Sequence, residues 1–151
     1  MPFVVNGQPV SEELICEEFG RIGRNPQWQH ASPKWGRMTA PQMVCHLNDS
    51  FRVGMGEKYA SPASSLVQRT FIKWVALWTP GVPTRPEIEQ GRGGTPPAEW
   101  KNDCAELLGL MDAFAEHQTF GVHPAFGKMS QRDWLTWGYR HMDHHLRQFG
   151  V

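Results

Sequence analysis

Residues 140–149 read Arg-His-Met-Asp-His-His-Leu-Arg-Gln-Phe, which puts three of the chain's seven histidines within five positions. His141 and His145 are four apart, so a helix carries both on one face, one turn from each other. That spacing presents two imidazoles to one metal ion from a rigid support. His46, in a separate apolar stretch, is available as a third ligand. Three neutral imidazoles around a divalent ion leave positions for water or substrate, the arrangement of a catalytic site rather than a closed structural one. Histidine suits zinc, nickel and iron alike, so the ligand type does not choose among them. The glutamate of an HExxH zincin is absent between the paired histidines, and so is the Glu-x-x-His pair of di-iron bundles.

The elements that must position these residues are helical. Ser11 followed by Glu12 and Glu13 reads as the start of a first helix, with Leu14, Ile15, Phe19 and Ile22 as its apolar side and Asn25-Pro26 as its end. Thr39-Ala40-Pro41-Gln42 has the form of a capping box. Met43, Val44, Leu47 and Phe51 then recur at helical spacing, with His46 beside the stripe and Gly54 and Gly56 at the end. A third helical stretch runs from about Ser64 to Trp78. The segment Pro80 to Pro97 is a long Pro/Gly-rich loop, either a flap over the site or an excursion fastened to the surface. Thr95-Pro96-Pro97 reads as the opening of another helix, with Thr95 as its cap and Trp100, Cys104, Leu107, Leu108, Met111 and Phe114 as its apolar positions. Ser130 to Asp133 is a looser capping box and begins the last helix, which continues to about Gln148.

Helical angles sort the C-terminal histidines. At about 100° per residue, Leu135, Tyr139, Met142, Leu146 and Phe149 form a core-facing stripe. His144 points away from it, toward solvent. His141 and His145 lie at its edge, beside Trp134 and Gly138. Trp134 is placed to wall a pocket, and Gly138 to let a neighbouring helix or a ligand come close. Asp49, three residues after His46, and Asp143, between the paired histidines, are candidate acceptors for a ligand's free N–H.

Composition bounds the rest. With 40 % hydrophobic and 20 % charged residues, the chain reads as one globular domain over residues 1–151. Basic and acidic residues balance at 15 each, which argues against nucleic acid as a partner. Three widely spaced cysteines without a CxxC pair fit small buried residues in a reducing, cytoplasmic compartment. The N-terminus lacks the pattern of a signal peptide, and the most apolar stretch, residues 71–78, is too short to cross a bilayer.

Three segments together resemble a known group. They are Trp35 to Leu47, Gly81-Val82-Pro83-Thr84, and His123 to Lys128 continuing through His141 to Gly150. The chain resembles the DinB-like (YfiT-like) superfamily and, within it, the DUF1569 branch. The resemblance implies an all-α fold: a four-helix bundle of DinB/YfiT-like type, with an extra short helix and the Pro/Gly-rich loop. It implies metal ligation by His46 on the second helix and by the His141/His145 pair on the last. Characterised relatives in the superfamily include small-thiol S-transferases, so it also implies a metal-dependent transferase acting on a small molecule with a thiol co-substrate. A metal-hydroxide hydrolase on the same ligands, or a non-catalytic metal-stabilised binding module, are the rival readings. A homodimer is the expected assembly.

Overall fold

In the structure, a computed structural model, residues 3–5, 8–10, 12–62 and 84–151 are described. The expected helix from Ser64 to Trp78, the first part of the Pro/Gly-rich loop and the Ser11 cap lie outside them. An antiparallel hairpin of β1 (Phe3–Val5) and β2 (Gln8–Val10) opens the fold, with Phe3 opposite Val10 and Val5 opposite Gln8. Four helices follow among the described residues: α1 (Glu12–Arg24), α2 (Ala40–Gly54), α3 (Trp100–Glu116) and α4 (Gln131–Gln148). A short 3₁₀ turn at Pro26–His30 follows α1, with Asn25 as its cap. The helical class expected from the sequence holds, and the small hairpin is an addition to it.

Local chemistry accounts for the helix starts. Thr39 Oγ1 accepts from the Gln42 N–H while the Gln42 side chain accepts from the Thr39 N–H, and Ser130 and Asp133 repeat the arrangement at α4. The expected start of α3 at Thr95 is corrected. The helix begins at Trp100, and Glu99 caps it by accepting from the Lys101 and Asn102 N–H groups. A residue before proline is disfavoured in the helical region, and Thr95 and Pro96 each precede one. The two prolines therefore delay the helix rather than open it.

α2 is the central helix. Met43, Val44, Leu47 and Phe51 are 0–1 % exposed, and its polar residues His46, Asn48, Asp49 and Ser50 are buried with them. Ile15, Phe19 and Ile22 of α1, Leu107, Met111 and Phe114 of α3, and Trp134, Tyr139, Met142 and Leu146 of α4 complete one core. Leu14, expected on the apolar side of α1, is instead exposed. Phe114 is the hinge pin between α3 and its neighbours, with ring contacts to Phe51, Phe120, Trp134 and Trp137.

Gly138 serves this packing. A Cβ there would meet Phe114 Cε1 at 2.7 Å and Phe51 Cε1 at 3.3 Å, so the glycine admits a neighbouring ring rather than a ligand. Replacing Gly138 by alanine must displace Phe114. We expect a loss of about 1–3 kcal/mol, read as a lower urea midpoint with an unchanged slope.

Candidate metal centre

α2 and α4 lie side by side, and each turns histidines toward the seam. His46 Nε2 is 3.0 Å from His141 Nε2, and His145 Nε2 is 3.1 Å from the same atom. One nitrogen from each ring lies within 4.8 Å of the other two. His46 and His145 are buried, and His141 is the least buried of the three.

Proton placement makes this convergence informative. His46 Nδ1 faces the Ile88 carbonyl at 3.3 Å, and a carbonyl only accepts. His46 therefore carries its proton on Nδ1 and turns an Nε2 lone pair toward His141. A single N–H on His141 Nε2 could serve His46, but it cannot serve His46 and His145 equally well. A cation at the common point satisfies all three lone pairs. Nitrogens about 2.1 Å from one ion stand ~3.0–3.4 Å apart for angles between the right angle and the tetrahedral angle, and the two short spacings fall in that range. The donor set thus fits a divalent ion.

The electrostatics agree. Burial lowers the pKa of His46, with the Ile88 hydrogen bond and Asp49 opposing and His144 assisting. His145 is pushed down to about 3 by burial and then by His46. His141 falls well below 6.5 through burial and its imidazole neighbours. All three are neutral at pH 7, the state a metal requires of them.

The segment 84–99, without helix or strand, reaches this centre. It is fastened at both ends. Arg85 donates to the Ser61 carbonyl and hydroxyl at 2.9 Å each. Asp49 accepts from the Thr95 N–H and hydroxyl at 2.7 Å each. Between them, Gly93 N–H donates to the Pro86 carbonyl, and a Cβ on Gly93 would meet that oxygen at 2.6 Å. The result sets the Ile88 carbonyl against His46 Nδ1, the ring nitrogen opposite the one that faces His141, so this part of the loop is fastened down and touches one histidine of the cluster from behind.

The expected supporting residues divide. Asp49 is fully buried, yet its carboxylate is committed to Thr95 and to Lys58 Nζ at 3.0 Å rather than to an imidazole. Asp143 pairs with Arg147 one turn on, at 2.8 Å, and faces away from the cluster. Trp134 is a core residue whose indole N–H donates to the Gly121 carbonyl. Trp137, which sequence reasoning passed over, stands between Trp134 and His141, 5.0 Å from the latter's ring. Its place four residues before His141 was the available signal. His144 is not solvated as expected. It is half-buried, edge-on to His145 at 5.1 Å and to Trp35 at 5.9 Å. Gln148 was also missed, although its spacing of three from His145 is a helical neighbour's; its Oε1 is 2.8 Å from His145 Nδ1.

Three other candidate groups have structural roles. His123 Nδ1 accepts from the Ala125 and Phe126 N–H groups, and burial lowers its pKa to about 3. Cys45 and Cys104 are buried as expected, and burial, then Asp103, pushes both thiols up to about 12, so neither is a thiolate nucleophile at neutral pH.

The four neutral histidines make stability depend on pH in a definite direction. Their folded pKa values lie below 6.5, so the unfolded chain takes up protons first as pH falls. Their contribution is complete above pH 6.5 and is lost as pH falls from there toward 3. In metal-free protein we expect urea stability to decline as pH falls below 6.5, approaching about 1.4 kcal/mol per pH unit for each imidazole involved, measured from pH 7 down to pH 5. A flat profile over that range would contradict neutral burial.

A family model described as "Protein of unknown function (DUF1569)" matches residues 24–150. No curated protein and no solved structure matches the chain.

Proposed function

Since the chain belongs to the DUF1569 family, whose description carries no activity, we propose from the site itself that it is a divalent-metal protein with an open three-histidine centre, acting as a transferase of the small-thiol type. The observation that supports the metal is the convergence of three imidazole nitrogens, two of them 3.0 and 3.1 Å from the third. The transferase reading rests on the resemblance of the Trp35 to Leu47 and His141 to Gly150 segments to the DinB-like superfamily.

Each residue has a task in this reading. His46, His141 and His145 hold the ion as neutral ligands. Ile88, held over α2 by the Asp49–Thr95 contact, orients the His46 ring. A small-molecule substrate and a thiol co-substrate would approach from the side of His141, the least buried of the three. The bound ion supplies Lewis acidity, which favours the thiolate of a thiol and draws electron density from a substrate oxygen. Zinc, nickel and iron all suit the donors. No helix among the described residues is long and apolar enough to cross a membrane.

Loading metal-free protein with zinc, cobalt or nickel should give one ion per chain by elemental analysis, and His46→Ala or His141→Ala should abolish it. Thiol consumption against a panel of electrophiles should fall at least 100-fold in His141→Ala. Ester or amide hydrolysis in the absence of thiol, lost in the same variant, would replace the transferase by a hydrolase. Thiol transfer that survives both substitutions would remove this site from the reaction.

A further inference from the structure

We propose that Gln148 is a positioning residue: it relays the backbone of residues 34–36 to His145 and fixes which nitrogen of that ring is free to bind a cation. The proposal rests on the metal reading above for its affinity consequences, but the proton placement stands on the hydrogen bonds alone.

Gln148 is 6 % exposed and occupied from both sides. Its side-chain Nε2 donates to the Trp35 carbonyl at 3.1 Å, and its backbone carbonyl accepts from the Lys34 N–H at 2.6 Å. Gly36 allows this approach. Its φ is +77°, and a Cβ there would lie 3.0 Å from Gln148 Nε2.

A side-chain amide has a donating end and an accepting end. The Trp35 carbonyl only accepts, so the end facing it is the NH₂ group. The oxygen is thereby aimed at His145 Nδ1, 2.8 Å away. An oxygen facing a ring nitrogen at that distance requires the proton on Nδ1. The lone pair of His145 is then on Nε2, the atom beside His141 Nε2. His46 reaches the same state through Ile88. Two segments distant in sequence, 34–36 and 84–95, thus set the two buried ligands from outside, one through a side-chain amide and one through a carbonyl. Acceptors of this kind, behind a metal-bound imidazole, typically change metal affinity 10–100-fold when removed.

The test uses the full chain with ¹⁵N-labelled histidine, metal-free at pH 7.5, and long-range proton–nitrogen correlation spectra. His145 is expected with its proton on Nδ1. In Gln148→Leu that preference should relax toward the Nε2–H form, and cobalt(II) affinity should fall 10–100-fold. Gln148→Glu keeps an acceptor and loses the donor; it should retain the Nδ1 proton and bind cobalt within a few-fold of the parent. A parent protein with the His145 proton on Nε2 overturns the proposal without any variant. So does Gln148→Leu with unchanged proton placement. Parent protein that binds no cobalt, with the His145 proton on Nδ1 and released in Gln148→Leu, would sink the metal reading and leave the relay standing.

Discussion

Three imidazole nitrogens converge between α2 and α4, and much of the fold exists to make that tolerable. Neutral rings brought lone pair to lone pair repel unless a cation lies between them, and burial removes the water that would otherwise intervene. The fold therefore has to fix two things: the distance between two helices and the proton on each ring. The first is set by packing. Phe114 of α3 presses on Phe51 of α2 and on Trp134 and Trp137 of α4, with Gly138 leaving the room. The second is set by hydrogen bonds from outside the helices, through Ile88 on His46 and Gln148 on His145.

This division explains why a central helix carries so many buried polar groups. His46, Asn48, Asp49 and Ser50 lie within little more than one turn of α2 at 0–3 % exposure. A buried polar group is costly without a partner. Ser50 donates to the His46 carbonyl, Asn48 donates to the Asp103 carbonyl, and Asp49 accepts twice from Thr95. The Asp49 contacts reach the centre at one remove. They fasten the segment that carries Ile88, so a carboxylate that touches no ligand still bears on the orientation of one.

The described helices and the His141/His145 pair were legible in the sequence because their signals are local, whereas His46 was joined to that pair only through the family resemblance. Capping boxes at Thr39 and Ser130, and the four-residue spacing of His141 and His145, depend on neighbours within a turn. What was not legible depends on chain crossings. Asp49 has the spacing of a partner for His46, but its carboxylate is taken by Thr95, forty-six residues on. The carbonyl of Ile88 leaves no trace in residue type. His144 looked solvated by its angle on the helix, and the segment bearing Trp35 folds against it. Besides the spacing of Trp137 from His141, two further signals were present and passed over. Gln148 lies one turn beyond His145, and Asn6-Gly7, between the residues that pair as β1 and β2, is the residue pair most favoured between hairpin strands.

The central claim is that one divalent ion is held jointly by His46, His141 and His145. The most direct measurement is a crystal of metal-loaded protein with diffraction data above and below the metal's absorption edge. One anomalous peak per chain is expected, within bonding distance of the Nε2 atoms of all three rings, about 2.0–2.1 Å for zinc. A peak bound by two of them or fewer, or a fully loaded crystal with its peak elsewhere, would contradict it.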